Sequence, residues 1–181
     1  MKALQYLTLS VVIALGMLVS AQADEAENEK LAKDVQTALS NLKAKDSSFE
    51  RTLKKVHGYV VFPRIAKGGF IVGGAGGAGE VYEGGKLVGR AKLSQGTIGA
   101  QIGGQVFSEV ILFENEAALN RFKQSRLEMS AQVSAVAAAE GVAQKAKFSG
   151  GVAVITLPVG GLMAEASVGG QKLDFIPLET E

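Results

Sequence analysis

The chain has 181 residues, with 19 basic and 18 acidic side chains and no cysteine. This balance of charge argues against a dedicated nucleic-acid-binding protein, which would show a large basic excess. The chain can form neither a disulfide nor a lipid-modified cysteine, and its length suits one domain whose core rests on apolar burial alone.

The first 23 residues have the order of parts of a secretory signal peptide. Lys2 gives a basic start, residues 4–19 are mostly apolar, and residues 21–23 form an A-x-A cleavage signal. A transmembrane anchor is the weaker alternative, because the apolar run is shorter than the roughly 20 residues of a span. We therefore expect residues 1–23 to be removed and the mature protein to be periplasmic, with membrane association left open.

Residues 24–57 are predicted to form an N-terminal helical segment. Residues 26–44 carry one apolar stripe at helical spacing, which consists of Leu31, Val35, Ala38, Leu39 and Leu42. Ser47 and Glu50 have the spacing of a capping box that would start a second, shorter helix, which Gly58 would end.

Residues 58–181 are predicted to form a glycine-rich β domain that makes one globular unit with the helices. Fourteen glycines lie between Gly68 and Gly104 among residues that favour strands. Glycine inside a strand marks a bulge, a sharp bend or a close backbone approach. The predicted strands are 59–62, 68–76, 79–83, 86–94, 97–104, 106–113, 152–157, 162–168 and 172–177.

Three local signals complete the prediction of elements. Residues 83–86 are predicted to form a tight hairpin turn. Residues 114–124 are predicted to be a short helix with Asn115 as its N-cap. For 130–139 we favour a strand, although the alanines also suit a helix. The fold class is α+β, with N-terminal amphipathic helices packed on a curled, glycine-rich antiparallel sheet or half-barrel.

Motifs that would indicate catalysis or a cofactor are weak. Residues 74–79 match G-x-G-x-x-G, but a strand and a turn follow where a dinucleotide site needs a helix. His57 is the single histidine, and we expect it to serve the end of a helix. Glu80 and Glu83 are expected to face solvent around the hairpin. We therefore predict no enzyme activity, no metal site and no cofactor.

Charge is distributed unevenly along the chain. Residues 24–42 hold five acids against two lysines, and residues 43–67 hold seven bases against two acids. Such a basic segment can face an anionic surface, or it can be a solvated face without a partner. The candidate head-group ligands are Lys54, Lys55, Arg64 and Lys67, together with Arg90 and Lys92.

Gln101 and Gln105 share one face of a predicted strand, with a glycine between them. They could form a polar floor for a ligand head group. Alternatively, their amides could bond neighbouring backbone at bulges.

The order of these pieces resembles the SYLF domain family, from about residue 56 to residue 168. The resemblance lies in GYVVFP at 58–63, KGGFIVGG at 67–74, IGAQIGGQ at 98–105, Leu112–Phe113, the pattern at 118–122, and the glycines at 161 and 169–170. It implies binding of phosphoinositides and related anionic membranes, aided by an amphipathic N-terminal helix, and actin binding in the yeast relatives. An exported protein does not meet cytoplasmic actin, so we do not carry that role over.

We therefore predict a non-enzymatic lipid-binding protein of the bacterial cell envelope, which holds anionic phospholipid head groups in a basic patch beside the glycine-rich sheet. The alternative is a structural or protein-interaction module of the periplasm without a lipid ligand, in which self-association through the sheet is one arrangement. Burial of the apolar stripe in the folded monomer would favour the second reading for that helix.

Overall fold

The computed structural model describes the backbone of residues 2–124, 128–129 and 135–178, and the side chains of residues 24–98, 102–124, 136–161 and 171–178. The chain has the predicted α+β composition. Its elements are α1 (Lys2–Lys45), α2 (Phe49–Lys55), β1 (Gly58–Glu83), β2 (Lys86–Phe113), α3 (Glu116–Lys123), β3 (Glu128–Met129), β4 (Ala135–Ala137) and β5 (Val152–Pro177).

Three very long strands, β1, β2 and β5, form an antiparallel ribbon in the order β1-β2-β5. β3 pairs with β5 antiparallel, whereas β4 pairs with it in parallel. The sheet is therefore mixed and open. The prediction of a purely antiparallel sheet was wrong at β4, and a half-barrel overstated its closure.

The ribbon is continuous where the sequence predicted separate strands. β1 runs on through Pro63, at an irregularity in register between Phe62 and Ile65. Strand irregularities tolerate a proline, because its missing N–H is not needed there. A straight strand of 26 residues would span about 85 Å, so the ribbon has to bend to form a compact domain.

The ribbon turns back on itself near Ile71, where β1 loses register with β2 between Phe70 and Val72. Ile71 has a φ of 66°, a left-handed conformation that is uncommon for a β-branched residue. We divide the ribbon into a first arm (58–65, 107–113 and 152–158), a tip (66–76, 94–106 and 159–170) and a second arm (77–83, 86–93 and 171–177).

Glycine lets the two arms of β1 come very close. A Cβ at Gly79 would lie 2.5 Å from the carbonyl oxygen of Val61, and one at Gly77 would lie 2.7 Å from that of Arg64. Likewise, a Cβ at Gly58 would lie 2.7 Å from the carbonyl oxygen of Tyr82. Such distances leave no room for a side chain, so the predicted close backbone approach is present in β1.

One hydrophobic core lies between the arms and is closed by α3. Its members come from both arms and from one face of α3, and they include Phe62, Leu93, Phe113, Phe122 and Leu173. Phe113 stacks on Phe122 at a centroid distance of 5.2 Å. The arms therefore enclose one shared core, which explains why the ribbon stays folded over.

A second core covers the outer face of the first arm. Here the stripe of α1 packs on alternate residues of β1, β2 and β5; Val35 and Leu42 are fully buried. Leu31 packs at the margin of the same cluster and is only partly buried. The apolar stripe of α1 is thus used inside the protein, where it cannot also contact a bilayer.

The junction between α1 and α2 differs from the predicted capping box. The N-cap of α2 is Ser48, while Ser47 bonds Glu140 through its backbone N–H and its hydroxyl. Next to it, the buried carboxylate of Asp46 accepts hydrogen bonds from Ser48 and from the backbone N–H groups of 141 and 143. This junction is therefore held by a remote segment of the chain, and no side chain of the described residues caps α2.

Other local predictions are confirmed. Glu83 pairs with Lys86 across a two-residue turn whose glycines both have positive φ. Asn115 caps α3 by accepting a hydrogen bond from the N–H of Ala118 at 3.0 Å. Of the predicted strand 130–139, β4 is present, whereas residues 130–134 lie outside the described residues. No helix in the described part of the chain has the length and apolarity that a membrane span requires.

Glu109 is a buried carboxyl group on the core side of β2 and is only 3 % exposed. Its Oε1 accepts a hydrogen bond of 3.2 Å from Nε2 of Gln171, which joins the first arm to the second. Burial raises the pKa of Glu109 to about 7, although the bond from Gln171 acts in the opposite direction. This carboxyl group therefore titrates near neutral pH.

We expect Gly79→Ala to lower the free energy of unfolding by about 2 to 3 kcal/mol, because its methyl group would push the arms of β1 apart. The matched control is Gly96→Ala, since a Cβ at Gly96 meets nothing within 4 Å. The control should stay within about 1 kcal/mol of the wild type. Chemical denaturation measures both values, and equal effects of the two substitutions would refute the close approach.

We expect Glu109 to make the protein less stable as pH rises. Between its ordinary pKa of 4.5 and its raised pKa of about 7, the folded protein keeps a proton that the unfolded chain releases. Stability from this group is complete below pH 4.5 and is lost as pH rises through about 7. Glu109→Gln should therefore gain up to about 3 kcal/mol over the wild type across that window.

Denaturation of both proteins at several pH values measures this difference. Glu114→Gln, a change at an exposed carboxyl group of the same region, should leave the pH dependence as in the wild type. Parallel curves for the wild type and Glu109→Gln would contradict the buried, protonated carboxyl group.

Candidate functional site

A groove of about 660 Å³ runs between residues 24–34 of α1 and the outer surface of the sheet. Three basic residues of the ribbon line it, namely Arg64, Arg90 and Lys92. From α1 come three acidic residues and one lysine, namely Asp24, Glu27, Asp34 and Lys30. The groove thus has a basic wall from the sheet and a largely acidic wall from α1.

Strand geometry brings the basic wall together. Arg90 and Lys92 are two residues apart in β2, so their side chains leave the same face of the sheet. In register they lie opposite Glu80 and Ala78 of β1. Arg64 sits at the irregularity of β1 beside Pro63, where the strand no longer follows its alternation, and it is exposed.

Arg90 has an unsatisfied donor at this wall. Its Nε atom is buried and has no hydrogen-bond partner among the described residues. A guanidinium group carries five N–H donors and no acceptor, so an oxyanion is its natural partner. A buried donor without an acceptor costs free energy, which an oxyanion in the groove would offset.

The acidic wall shapes what the groove can hold. Asp24, Glu27 and Asp34 are exposed on α1, and they lower the potential that the three basic residues create. An anion in the groove would therefore contact the sheet side, and a cationic group beside it would meet α1. This arrangement of opposed walls was missed from the sequence, although the separation of acidic and basic segments along the chain was its signal.

The other three basic candidates lie elsewhere. Lys54 pairs with Glu50 of α2 at 3.0 Å, and the hydrogen bond from Lys54, followed by the charge of Lys43, lowers the pKa of Glu50. Lys55 is exposed on the same helix. Lys43, the α1 residue that also acts on Glu50, lies nine residues beyond Asp34, the last α1 residue of the groove. This is a rise of about 13 Å along the helix, so Lys54 and Lys55 lie away from the groove.

Lys67 occupies a position of its own at the base of the tip, opposite Gln105 in register. It is partly buried and has contacts within the protein. Gln105 is also partly buried, but the side chain of Gln101 lies outside the described residues, so the polar floor stays a prediction. Three of the six basic candidates therefore share one site, and the remaining three do not join it.

The acidic residues of the hairpin are less exposed than expected. Glu80 is buried and accepts a hydrogen bond of 2.5 Å from the Tyr82 hydroxyl, and burial followed by this bond raises the pKa of Tyr82. The ring of Tyr82 stacks on Tyr59, with centroids 4.9 Å apart. The expectation that Glu80 faces solvent was wrong, because the folding back of β1 brings the two ends of the strand together.

His57 and Glu83 form a structural link. Nε2 of His57 lies 3.2 Å from Oε1 of Glu83, and Nζ of Lys123 lies 2.7 Å from Oε2. The hydrogen bond from Lys123 is the largest influence that lowers the pKa of Glu83. His57 thus connects the C-terminal end of α2 to the end of β1 and, through Glu83, to α3. The sequence instead predicted that it would interact with the C-terminus of its own helix. Within the described residues, no group of three or more potential metal ligands is placed to hold an ion.

The tip exposes large apolar side chains that the sequence analysis did not single out as a surface. Phe70 is 67 % exposed and Ile98 is 70 % exposed. We call the exposed group the apolar tip, and its members are Phe70, Ile71, Val72, Ile98 and Ile102. In register Phe70 lies opposite Ile102 and Val72 lies opposite Ile98, so the residues form one continuous patch.

Comparison with known proteins agrees with the resemblance seen in the sequence. Residues 94–175 match the Ysc84 family, described as Las17-binding protein actin regulator. The chain is also 30% identical over 162 residues to beta cell expansion factor A of Aeromonas veronii; the match covers 83% of this chain and 61% of that protein. The chain thus spans less than two thirds of the length of this relative. Both comparisons therefore show similarity to the SYLF (Ysc84) family, whose model matches residues 94–175.

Proposed function

We propose that this protein is a non-enzymatic lipid-binding module of the bacterial cell envelope, which holds the phosphate of anionic phospholipid head groups at Arg64, Arg90 and Lys92. The observation that carries the proposal is the convergence of these three residues in one groove, where Nε of Arg90 is a buried donor without a partner among the described residues. Similarity to the SYLF family supports a lipid-binding or actin-binding module in general.

The cellular setting is part of the proposal. Residues 1–23 have the features of a cleavable signal peptide, so we place the mature protein in the periplasm. The family description names actin regulators, but a periplasmic protein has no access to actin. Since α1 packs its stripe in the core, the groove and the tip remain the surfaces on which a membrane could act.

A structural or protein-interaction module remains the second candidate. The observation that favours it is the burial of Val35, Leu39 and Leu42, because these residues then serve the fold and no ligand. In this case the exposed apolar tip would contact another protein or a second copy of the chain, and vesicle binding would be absent.

We expect the mature protein to sediment with vesicles that contain phosphatidylglycerol, and to do so less with pure phosphatidylcholine or at high salt. Each cation near an anionic surface contributes about 1 kcal/mol. Combined Arg64→Gln, Arg90→Gln and Lys92→Gln substitutions should therefore weaken binding by roughly a hundredfold, or about 3 kcal/mol.

The matched control removes three cations at the other end of α1, with Lys43→Gln, Lys54→Gln and Lys55→Gln. It changes the net charge equally, so it should lose much less affinity if the groove is the site. Equal losses in both triple variants would show that only total charge matters, and equal binding to neutral and anionic vesicles would overturn the mechanism.

The acidic wall offers a test of opposite sign. Combined Asp24→Asn, Glu27→Gln and Asp34→Asn substitutions remove negative charge that faces the groove, so binding to phosphatidylglycerol vesicles should strengthen about tenfold or more. The control neutralises Glu25, Glu114 and Glu116, which are exposed outside the groove. No difference between these two variants would mean that phosphate does not bind between the walls.

A further inference from the structure

In two strands of the tip, β1 and β2, the apolar residues lie in stretches without charge, whereas the third strand, β5, has Glu165 opposite Gln101 in register. Residues 68–79 of β1 and residues 93–108 of β2 contain no Asp, Glu, Lys or Arg. A surface loop normally carries polar and charged side chains, and large exposed apolar patches mark interaction sites. The composition of these two strands therefore indicates a surface that is covered by a binding partner.

The acidic and basic residues that border these two uncharged stretches differ in their exposure to solvent. Glu80 and Glu109 end the stretches, and both are buried. Lys67 and Lys92 begin them; Lys92 is exposed and Lys67 is partly exposed. The base of the tip therefore presents cations and hides its acids, which is complementary to an anionic surface around an apolar interior.

The dimensions of the tip suit one leaflet of a membrane. Ile98 lies six residues beyond Lys92 along β2, a rise of about 20 Å. Half the hydrocarbon core of a bilayer is about 15 Å thick. Cations at the base would thus lie at the level of head groups when the apolar tip is among acyl chains.

Backbone pairing makes the tip compatible with an apolar environment. In the tip, β2 is the central strand and is paired with β5 along its length, and it is paired with β1 except at residues 99–101, where the register shifts. Paired N–H and C=O groups enter hydrocarbon at far lower cost than free ones. Outside residues 99–101, the central strand of the tip can therefore lose its water without leaving backbone groups unpaired.

From these observations we propose that the apolar tip inserts into one leaflet of a lipid bilayer, so that Phe70 and Ile98 lie among acyl chains while Lys92 and Arg64 remain at the head groups. This inference rests on the proposed lipid-binding function and adds the element that penetrates. It predicts two separable contributions to binding, an electrostatic one from the groove and an apolar one from the tip.

The chain contains no tryptophan, so a single introduced one reports its own position. In Phe70→Trp, vesicles of phosphatidylglycerol and phosphatidylcholine should shift the emission to the blue, and lipids brominated on their acyl chains should quench it. The control is Leu87→Trp, an exposed apolar position beside the hairpin turn at the opposite end of the ribbon. Its emission should change little with the same vesicles.

Sedimentation of the same samples separates the two proposals. If both proteins sediment with vesicles but Phe70→Trp responds no more than Leu87→Trp, the lipid-binding function stands and tip insertion is refuted. If neither protein sediments, both proposals fail. A blue shift that grows with protein concentration in the absence of vesicles would show that a second copy covers the tip, and it would also overturn insertion.

A loss-of-function pair completes the test. Phe70→Gln with Ile98→Gln should reduce sedimentation with the mixed vesicles at least tenfold, while the remaining binding stays sensitive to salt. Because both side chains are mostly exposed, the melting temperature should stay that of the wild type. Unchanged vesicle binding by this well-folded double variant would contradict insertion.

Discussion

The fold depends on the close backbone approach between the two arms of β1. Gly58, Gly77 and Gly79 leave no room for a side chain where the arms meet, and the chain can fold back only because their Cβ atoms are missing. This contact allows a ribbon that would otherwise be far too long for a compact domain to enclose one core between its arms. The exposed tip is the consequence of the same bend.

The bend also places the residues that stabilise the fold and the residues that are exposed for binding in different parts of the ribbon. The first arm is buried on both faces, by α1 on one side and by the inner core on the other, so it serves stability. Arg64 at the end of this arm, with Arg90 and Lys92 of the second arm, lines a groove with α1, and the tip presents apolar side chains. A basic region close to an apolar projection is an arrangement suited to a charged surface with an apolar interior.

Signals that depend on a few neighbouring residues were predictable from the sequence. The hairpin at 83–86, the Asn115 cap and the stripe of α1 are of this kind, and so is the meaning of glycine inside a strand. What depended on distant contacts was not predictable. Ser47 bonds Glu140, Glu80 is buried by the folding back of β1, and the acids of α1 face bases far along the chain.

The glycines also explain why strand boundaries were misjudged. Several glycines were taken as ends of strands, whereas β1 and β2 continue through them and bend. A glycine favours a bend within a strand as much as it favours the end of a strand. Its position in the sequence alone therefore does not distinguish the two. The sequence also did not show which basic residues lie together. Of the six candidates, three share the groove in the structure, and the other three are lysines that lie elsewhere.

The distance between the two arms of β1 tests the account most directly. The chain has no native cysteine, so Ala66→Cys with Ala78→Cys allows spin labels at two exposed positions on opposite sides of the bend. Folded-back arms predict a separation of about 20 Å or less, which is the spacing of packed strands plus the label linkers. A separation of about 40 Å, which a straight strand would give, would contradict the bend on which the core, the groove and the tip all depend.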